Sequence, residues 1–476
     1  VTINGGTVVL VPAVNLGTHY AARSFTVLTA STLTGAFGPT AIYGGSIKLS
    51  NTATVTDVGN DVDVSYAASV SLLQPPSNAT INEQNVSDAI DNAILAGDAL
   101  PTGFANLGNL SGPTLLNALN QLSGQPATGA QTSAFQLMQD FLNLLSDPTA
   151  GGGGGGGTNG PQQFAPDDQA SLPPAIAEAY NHVLRSGTPQ PAESFEQRWS
   201  AWASGFGGSG TIDGNATVGS SNVTATDYGY AAGMTYHATP ATSYGFALAG
   251  GGTSWNLAQS LGSGRSDSFQ AGVYGTSHFG PAYLSGALAF ANHWFTTNRI
   301  ALGDQLTASF QGQSYAARGE AGYRYAVPLT GYIIGVTPYA ALQVQDFHTP
   351  GYSETDLTGG GFGLTYGSMN ATDTRSELGA RLDNLTVWDG MPLVLRGRLA
   401  WAHDWVSNPA LGAVFQALPG SNFTVNGAAP PKNSALTTAA AELHFTPNWT
   451  AMAKFDGEFG SGAQIYAGTG TIRYSW

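Results

Sequence analysis

The sequence predicts an all-β protein: a 12-stranded antiparallel transmembrane β-barrel, preceded by β-solenoid rungs and a short helical segment. Three observations point there. From Trp199 onward, apolar and polar residues alternate with a period of two. Only 9% of residues are charged, while 10% are aromatic and 64 are glycine; a typical soluble domain is roughly 25% charged. The connections between the alternating runs are in turn short and long, as in outer-membrane barrels.

Composition also excludes several functions. With no cysteine in 476 residues, disulfides, thiol catalysis and Cys-based metal sites are ruled out. A formal net charge of -15 argues against nucleic acid as a partner. No run of 18 or more apolar residues occurs, so no transmembrane helix is read, and mean hydropathy is -0.04. The first residues, Val1-Thr-Ile-Asn-Gly-Gly, have neither a basic nor an apolar leader pattern and already read as a strand. The expectation is therefore a C-terminal part of a longer precursor whose signal peptide lies upstream.

Residues 1–77 hold short strand-like runs, among them Thr7-Val-Val-Leu-Val11, Phe25-Thr-Val-Leu28 and Val62-Asp-Val-Ser-Tyr66, punctuated by Gly, Asn and Asp. Stacked short strands suggest the last rungs of a β-solenoid; a small β-sandwich is the alternative. Residues 78–148 switch to helical spacing. Val86, Ile90 and Ile94 share one face, Leu115 to Leu122 repeat the pattern, and Phe135, Met138, Phe141 and Leu145 form a stripe with Leu137 and Leu144 beside it. Such a stripe reads as a packing face. Within residues 149–194, the seven glycines of Gly151 to Gly157 form a linker. No Lys-Ser/Thr follows them, so they are no phosphate loop. Residues 173–187 read as a helix, with Pro at the start, Gly past the end and Arg185 in the last turn.

Residues 195–476 are the barrel. Tyr228, Tyr230, Met234 and Tyr236 oppose Asp227, Gly229, Gly233 and Thr235. Tyr315, Tyr323 and Tyr325 oppose Arg318, Glu320 and Arg324. Leu378, Ala380 and Leu382 oppose Arg375, Glu377, Arg381 and Asp383. Leu395, Leu399 and Trp401 oppose Arg396, Arg398 and Asp404, and Phe455 and Phe459 oppose Lys454, Asp456 and Glu458. In the last strand Ile472, Tyr474 and Trp476 face away from Thr471, Arg473 and Ser475. A soluble sandwich would turn these charges to bulk water; a barrel in lipid would turn them to its lumen. Periodicity alone does not separate the two. Aromatic residues at the ends of the apolar faces, strands of ten residues or more, and tight turns such as Thr239-Pro240 and Asp389-Gly390 against long stretches at 351–363 and 408–433 favour the barrel. Trp199 and Trp202 fall on opposite faces of the first strand, and sequence does not say which meets lipid.

Arg198-Trp-Ser-Ala-Trp-Ala-Ser-Gly-Phe-Gly-Gly208, Gly264-Arg-Ser-Asp-Ser-Phe-Gln-Ala-Gly-Val-Tyr274, Arg375-Ser-Glu-Leu-Gly-Ala-Arg381, Phe415 to Gly427, Lys454-Phe-Asp-Gly-Glu-Phe459 and the Tyr-Ser-Trp end resemble the translocator of type Va autotransporters. The resemblance covers residues 195–476; 1–77 is similar to the end of a β-helical passenger. It implies type V secretion from a Gram-negative outer membrane: the barrel carries its own N-terminal passenger to the cell surface and anchors it. The implied partners are outer-membrane lipid, periplasmic chaperones, the barrel-insertion machinery and the passenger itself, with Ile472, Tyr474 and Trp476 as the terminal insertion signal. The resemblance also implies a pore helix, for which 173–187 is the candidate, facing the lumenal charges. It further implies that cleavage at an Asn-Asn pair of that helix does not occur here, since only Asn181 is present.

Enzyme signals are absent from the motifs: no Gly-x-Ser-x-Gly elbow and no His-Glu-x-x-His occur. No catalytic, cofactor-binding or metal-ligating set is read, and the expectation is a non-enzyme. Two other functions remain open, a surface adhesin or binding module anchored by the barrel and a porin-like pore.

Overall fold

The alternating runs pair in sequence order, each antiparallel to the next, and the last returns to the first. A computed structural model describes residues 1–10, 23–43, 53–66, 73, 75–96, 98, 100–146, 198–329, 332–406 and 409–476. The glycine run and the candidate helix 173–187 lie outside them. The barrel strands are β1 (Trp199–Ile212), β2 (Val223–Thr239), β3 (Thr242–Leu257), β4 (Ser263–Phe279), β5 (Ala282–Ala301), β6 (Asp304–Tyr323, continued by Tyr325–Leu329), β7 (Tyr332–Thr349), β8 (Met369–Trp388), β9 (Met391–Val406), β10 (Asn433–His444), β11 (Trp449–Gly460) and β12 (Ala463–Ser475). Pairing of β12 with β1, from Ala463↔Ile212 to Ser475↔Ser200, closes the cylinder. Closure leaves no sheet edge, which is what a bilayer without water demands.

Polarity is inverted relative to a soluble fold. Tyr230 is 74% and Leu399 63% exposed, while Glu320 is 2% and Glu377 1% exposed. Apolar side chains therefore face outward and ionic ones inward, the arrangement that alternation alone left open. Trp199 lies outside at 41% exposure and Trp202 inside at 3%. Strands β5 and β6 have 20 residues each, about twice what a tilted strand needs to cross a bilayer. The long connections all lie at one end of the barrel.

A folded lid occupies that end. Its helices are α1 (Ile81–Ala96), α2 (Thr102–Ala105) and α3 (Gly112–Leu122). A capping box starts α1: the Thr80 amide donates to Glu83 Oε2 at 2.7 Å, and the Glu83 amide to Thr80 Oγ1 at 3.4 Å. Val86, Ile90 and Ile94 form its buried stripe, as do Leu115, Leu119 and Leu122 in α3. These residues share one core with the long connections, whose Tyr352–Ser353, Leu364–Tyr366, Ala410–Phe415 and Asn422–Asn426 form a small sheet of their own.

Polar ties reach the lid from five of the six connections at this end. The Ile81 amide donates to Thr217 O (3.1 Å) between β1 and β2, and Asn120 Nδ2 to Gln259 Oε1 (3.3 Å) between β3 and β4. The Leu302 amide between β5 and β6 donates to Gln121 Oε1 (2.9 Å). Tyr366 Oη between β7 and β8 donates to Gly124 O (3.3 Å), and Asn85 Nδ2 donates to Thr424 O (2.8 Å) between β9 and β10.

After the lid the chain turns into the barrel. Helix α4 (Gly129–Ser146) starts against Trp255, whose Nε1 donates to Pro126 O at 2.9 Å. A Cβ on Gly129 or Gly264 would land on the Trp255 indole, so the ring is clasped between two glycines. Ala130 and Ala134 belong to the lid core; Leu137, Met138, Phe141, Leu142, Leu144 and Leu145 pack deeper on the inner wall. Burial on nearly every side explains why α4 is apolar beyond a single stripe. The helix inside the barrel, among the described residues, is thus 129–146. Sequence reading had grouped it with the helical segment and looked for the pore helix at 173–187.

In the N-terminal part, Thr2–Asn4 pairs in parallel with Thr34–Ala36, and Val9–Leu10 with Thr40–Tyr43. Antiparallel pairing follows: Thr40–Tyr43 with Ala53–Val58, that strand with Asp61–Tyr66, and Asp61–Tyr66 with Arg23–Thr29.

Candidate functional site: the barrel lumen

Two different walls face the lumen. On one side Ala231, Ala247, Ala249, Ala287, Ala289 and Ala316 form a smooth surface against α4. Small residues let the helix lie close to the strands. At Gly272 the space is tight, since an added Cβ would collide with Leu145 and sit 3.2 Å from Phe141 Cε1. Polar contacts fix the register of the helix: Gln136 Nε2 donates to Asp227 Oδ1 at 2.6 Å, and Gln345 Nε2 to Gln139 Oε1 at 3.3 Å. Trp202 Nε1 donates to Tyr274 Oη at 2.8 Å deep in the same wall.

The other wall is ionic. Arg318 contacts Glu377 at 2.7 Å and Glu320 at 2.9 Å, with both partners buried. Arg381 approaches Glu320 at 3.0 Å and lies over the Tyr339 ring, 4.8 Å from its centroid. Arg398 bridges Glu377 at 3.7 Å and Asp456 at 3.6 Å. Arg375 joins Asp404 at 2.6 Å and Glu458 at 2.8 Å. Arg324 pairs with Asp383 at 2.7 Å and Lys454 with Asp456 at 3.0 Å. Arg396 pairs with Glu442, and Arg473 is 8% exposed on the same side. Each of these charges holds a period-two position on its strand, so register alone brings them together. At Arg375↔Asp404 and Asp383↔Arg396, opposite charges stand directly across adjacent strands. His403 points outward, its Nδ1 donating to Asn433 Oδ1 at 2.8 Å.

Sequence reasoning missed Glu442, Tyr283 and Tyr339. Glu442 is in phase with its neighbours on β10, and alternation could have found it. Tyr283 Oη donates to Glu320 Oε1 at 2.6 Å and Tyr339 Oη to Glu377 Oε2 at 3.2 Å; aromatic residues on a lumenal phase carry no such signal. Also missed was the ion pair of Arg299 with Glu354, bidentate at 2.7 Å, near the lid. No spacing rule links residues so far apart in different elements. Among the described residues, no group of His, Asp and Glu has metal-binding geometry.

A closed antiparallel barrel with an apolar exterior and a charged, helix-filled interior is an outer-membrane transmembrane barrel. The family model for the autotransporter beta-domain matches residues 201–456, more than half of the chain, and the protein belongs to that family. Its barrel is an outer-membrane translocator for a passenger domain. Two extracellular serine proteases of Serratia marcescens are each 23% identical over 203 residues, 42% of this chain and 19% of theirs. The chain thus spans about a fifth of the length of these curated relatives, and the match covers only the barrel region. Among solved structures, the translocator domain of autotransporter NalP from Neisseria meningitidis is 14% identical with a TM-score of 0.47, over 58% of this chain and 88% of that one. The transport unit of AIDA-I from Escherichia coli is 16% identical with a TM-score of 0.40, over 64% and 99%.

Proposed function

We propose that this chain exports its own N-terminal passenger, with residues 1–77 as the end of a β-helical passenger and α4 as the segment left in the pore. The observation that carries the reading is the path of the chain. Residues 81–128 sit at the end with long connections, which faces outward in such barrels. The chain then descends through the lumen as α4, and β1 begins at the opposite end. A segment preceding the barrel thus lies on the far side of the membrane from where the barrel starts.

The paired lumenal charges keep a polar lining beside the helix, and the barrel itself carries no catalytic role; any activity belongs to the passenger. Barrel-insertion machinery and periplasmic chaperones are the proposed assembly partners, with Ile472, Tyr474 and Trp476 as the insertion signal. The long 408–433 connection, which could have served as an adhesive loop, gives the adhesin reading no support, because its Leu411, Phe415 and Val425 are buried in the lid. A porin-like pore is disfavoured by the helix in the lumen.

Protease accessibility on intact cells tests the proposal, using the chain behind a signal peptide with an epitope before Val1. Loss of the epitope while the barrel survives supports export. A protected epitope above a folded, heat-modifiable barrel overturns it and favours the porin-like pore.

A further inference from the structure

We infer that the lid is a seal in its own right: it closes the outer mouth of the pore, independently of α4, once residues 81–128 have emerged. Three observations carry this. First, the backbone of α4 runs mainly along β2 to β7, with Asp140 reaching Gly208 of β1, so the helix lies toward one side of the lumen. Second, the lid reaches most of the rim, with ties from five of six connections and its helices over the opening. Third, its core is divided between two parts of the chain. Phe104 from the helices meets Phe362 and Phe415 from the barrel connections, each at 5.0 Å between centroids. Neither part has a closed core alone, so the lid assembles only where the emerging segment meets the finished rim. The Asn82 pair shows the same division: Asn82 Nδ2 donates to Asn426 O and the Asn426 amide to Asn82 Oδ1, both at 2.9 Å, covering the free edge of the 422–426 strand.

Conductance of the full chain in planar bilayers tests the seal. Phe104→Asp places an unpaired charge in the shared core. The expected result is a several-fold rise in conductance with heat-modifiability of the barrel unchanged. Unchanged conductance, in a variant whose lid an added protease now removes, overturns the proposal. Should Phe104→Asp fail to assemble, the native chain serves. Urea is expected to melt the lid before the barrel, read by emission from buried Trp255 against a Trp255→Phe control. Conductance should rise along that first transition. A pore that stays closed until heat-modifiability is lost rules out the seal.

Discussion

Trp476 and Trp199 hold each other by two backbone hydrogen bonds. The Trp476 amide donates to Trp199 O at 2.9 Å, and the Trp199 amide to Trp476 O at 3.1 Å. The final residue of the chain therefore completes the seam that closes the barrel. Its indole stacks on Tyr474, 5.6 Å between centroids, which in turn meets Trp449 at 4.8 Å. Deleting Trp476 removes both bonds and the end of the aromatic girdle, whereas Trp476→Phe keeps the backbone and an apolar ring. The deletion is expected to reduce heat-modifiable barrel in the outer-membrane fraction to a minority, with the phenylalanine variant near wild type. Equal yields would show that the terminal residue is dispensable for insertion.

Glu377 is the hub of the ionic wall, accepting from Arg318 and Tyr339 and lying 3.7 Å from Arg398. Removing one partner of a buried ion pair leaves the other charge uncompensated, at a cost of about 3 kcal/mol. Glu377→Gln should lower the urea midpoint of unfolding accordingly. Glu458→Gln, whose partner Arg375 keeps Asp404, should cost clearly less. A smaller loss at Glu377 than at Glu458 would contradict the hub assignment.

The seat of α4 at Gly272 has no room for a side chain. Gly272→Leu should displace Leu145 and Phe141, at roughly 1–3 kcal/mol for overpacking. A cysteine placed at Leu142 in the cysteine-free chain reads the outcome. It should be protected from a thiol reagent in the parent and labelled in the Gly272 variant. Equal protection would mean that the helix does not rest on this strand.

Near the lid, desolvation pushes the Asp356 carboxyl up. The amides of Gly361 (2.8 Å) and Gly359 (2.6 Å), helped by Asp304 and the Thr358 amide, overcome it and hold the group at about 2. The folded value lies below the ordinary one of about 3.9. The stability it contributes is thus present above about pH 4 and lost as pH falls toward 2. Titration of the Asp356 carboxyl carbon by NMR should give a midpoint near 2 in the folded chain; an ordinary midpoint would mean that the amide cradle does not form. Since the half-buried group and the amides that hold it all lie between β7 and β8, the effect belongs to the connection and not to the barrel.

Much was legible in sequence because strands and helices write their faces locally. A period of two places Arg375, Glu377, Arg381 and Asp383 on one side of β8 whatever surrounds it, and Val86, Ile90 and Ile94 on one side of α1. Twelve strands, short turns and a single side for the charges followed from the same rule. Only tertiary structure decided which side was inside. Alternation is symmetric: an apolar face against a core and an apolar face against lipid have the same period, and only closure of β12 on β1 tells them apart. It also decided that 129–146 enters the barrel, because a buried stripe looks the same on a surface as in a lumen. The pairings of Arg299 with Glu354, and of Phe104 with Phe362 and Phe415, join segments whose sequences say nothing of each other. They meet because the rim of the cylinder brings its connections over one opening.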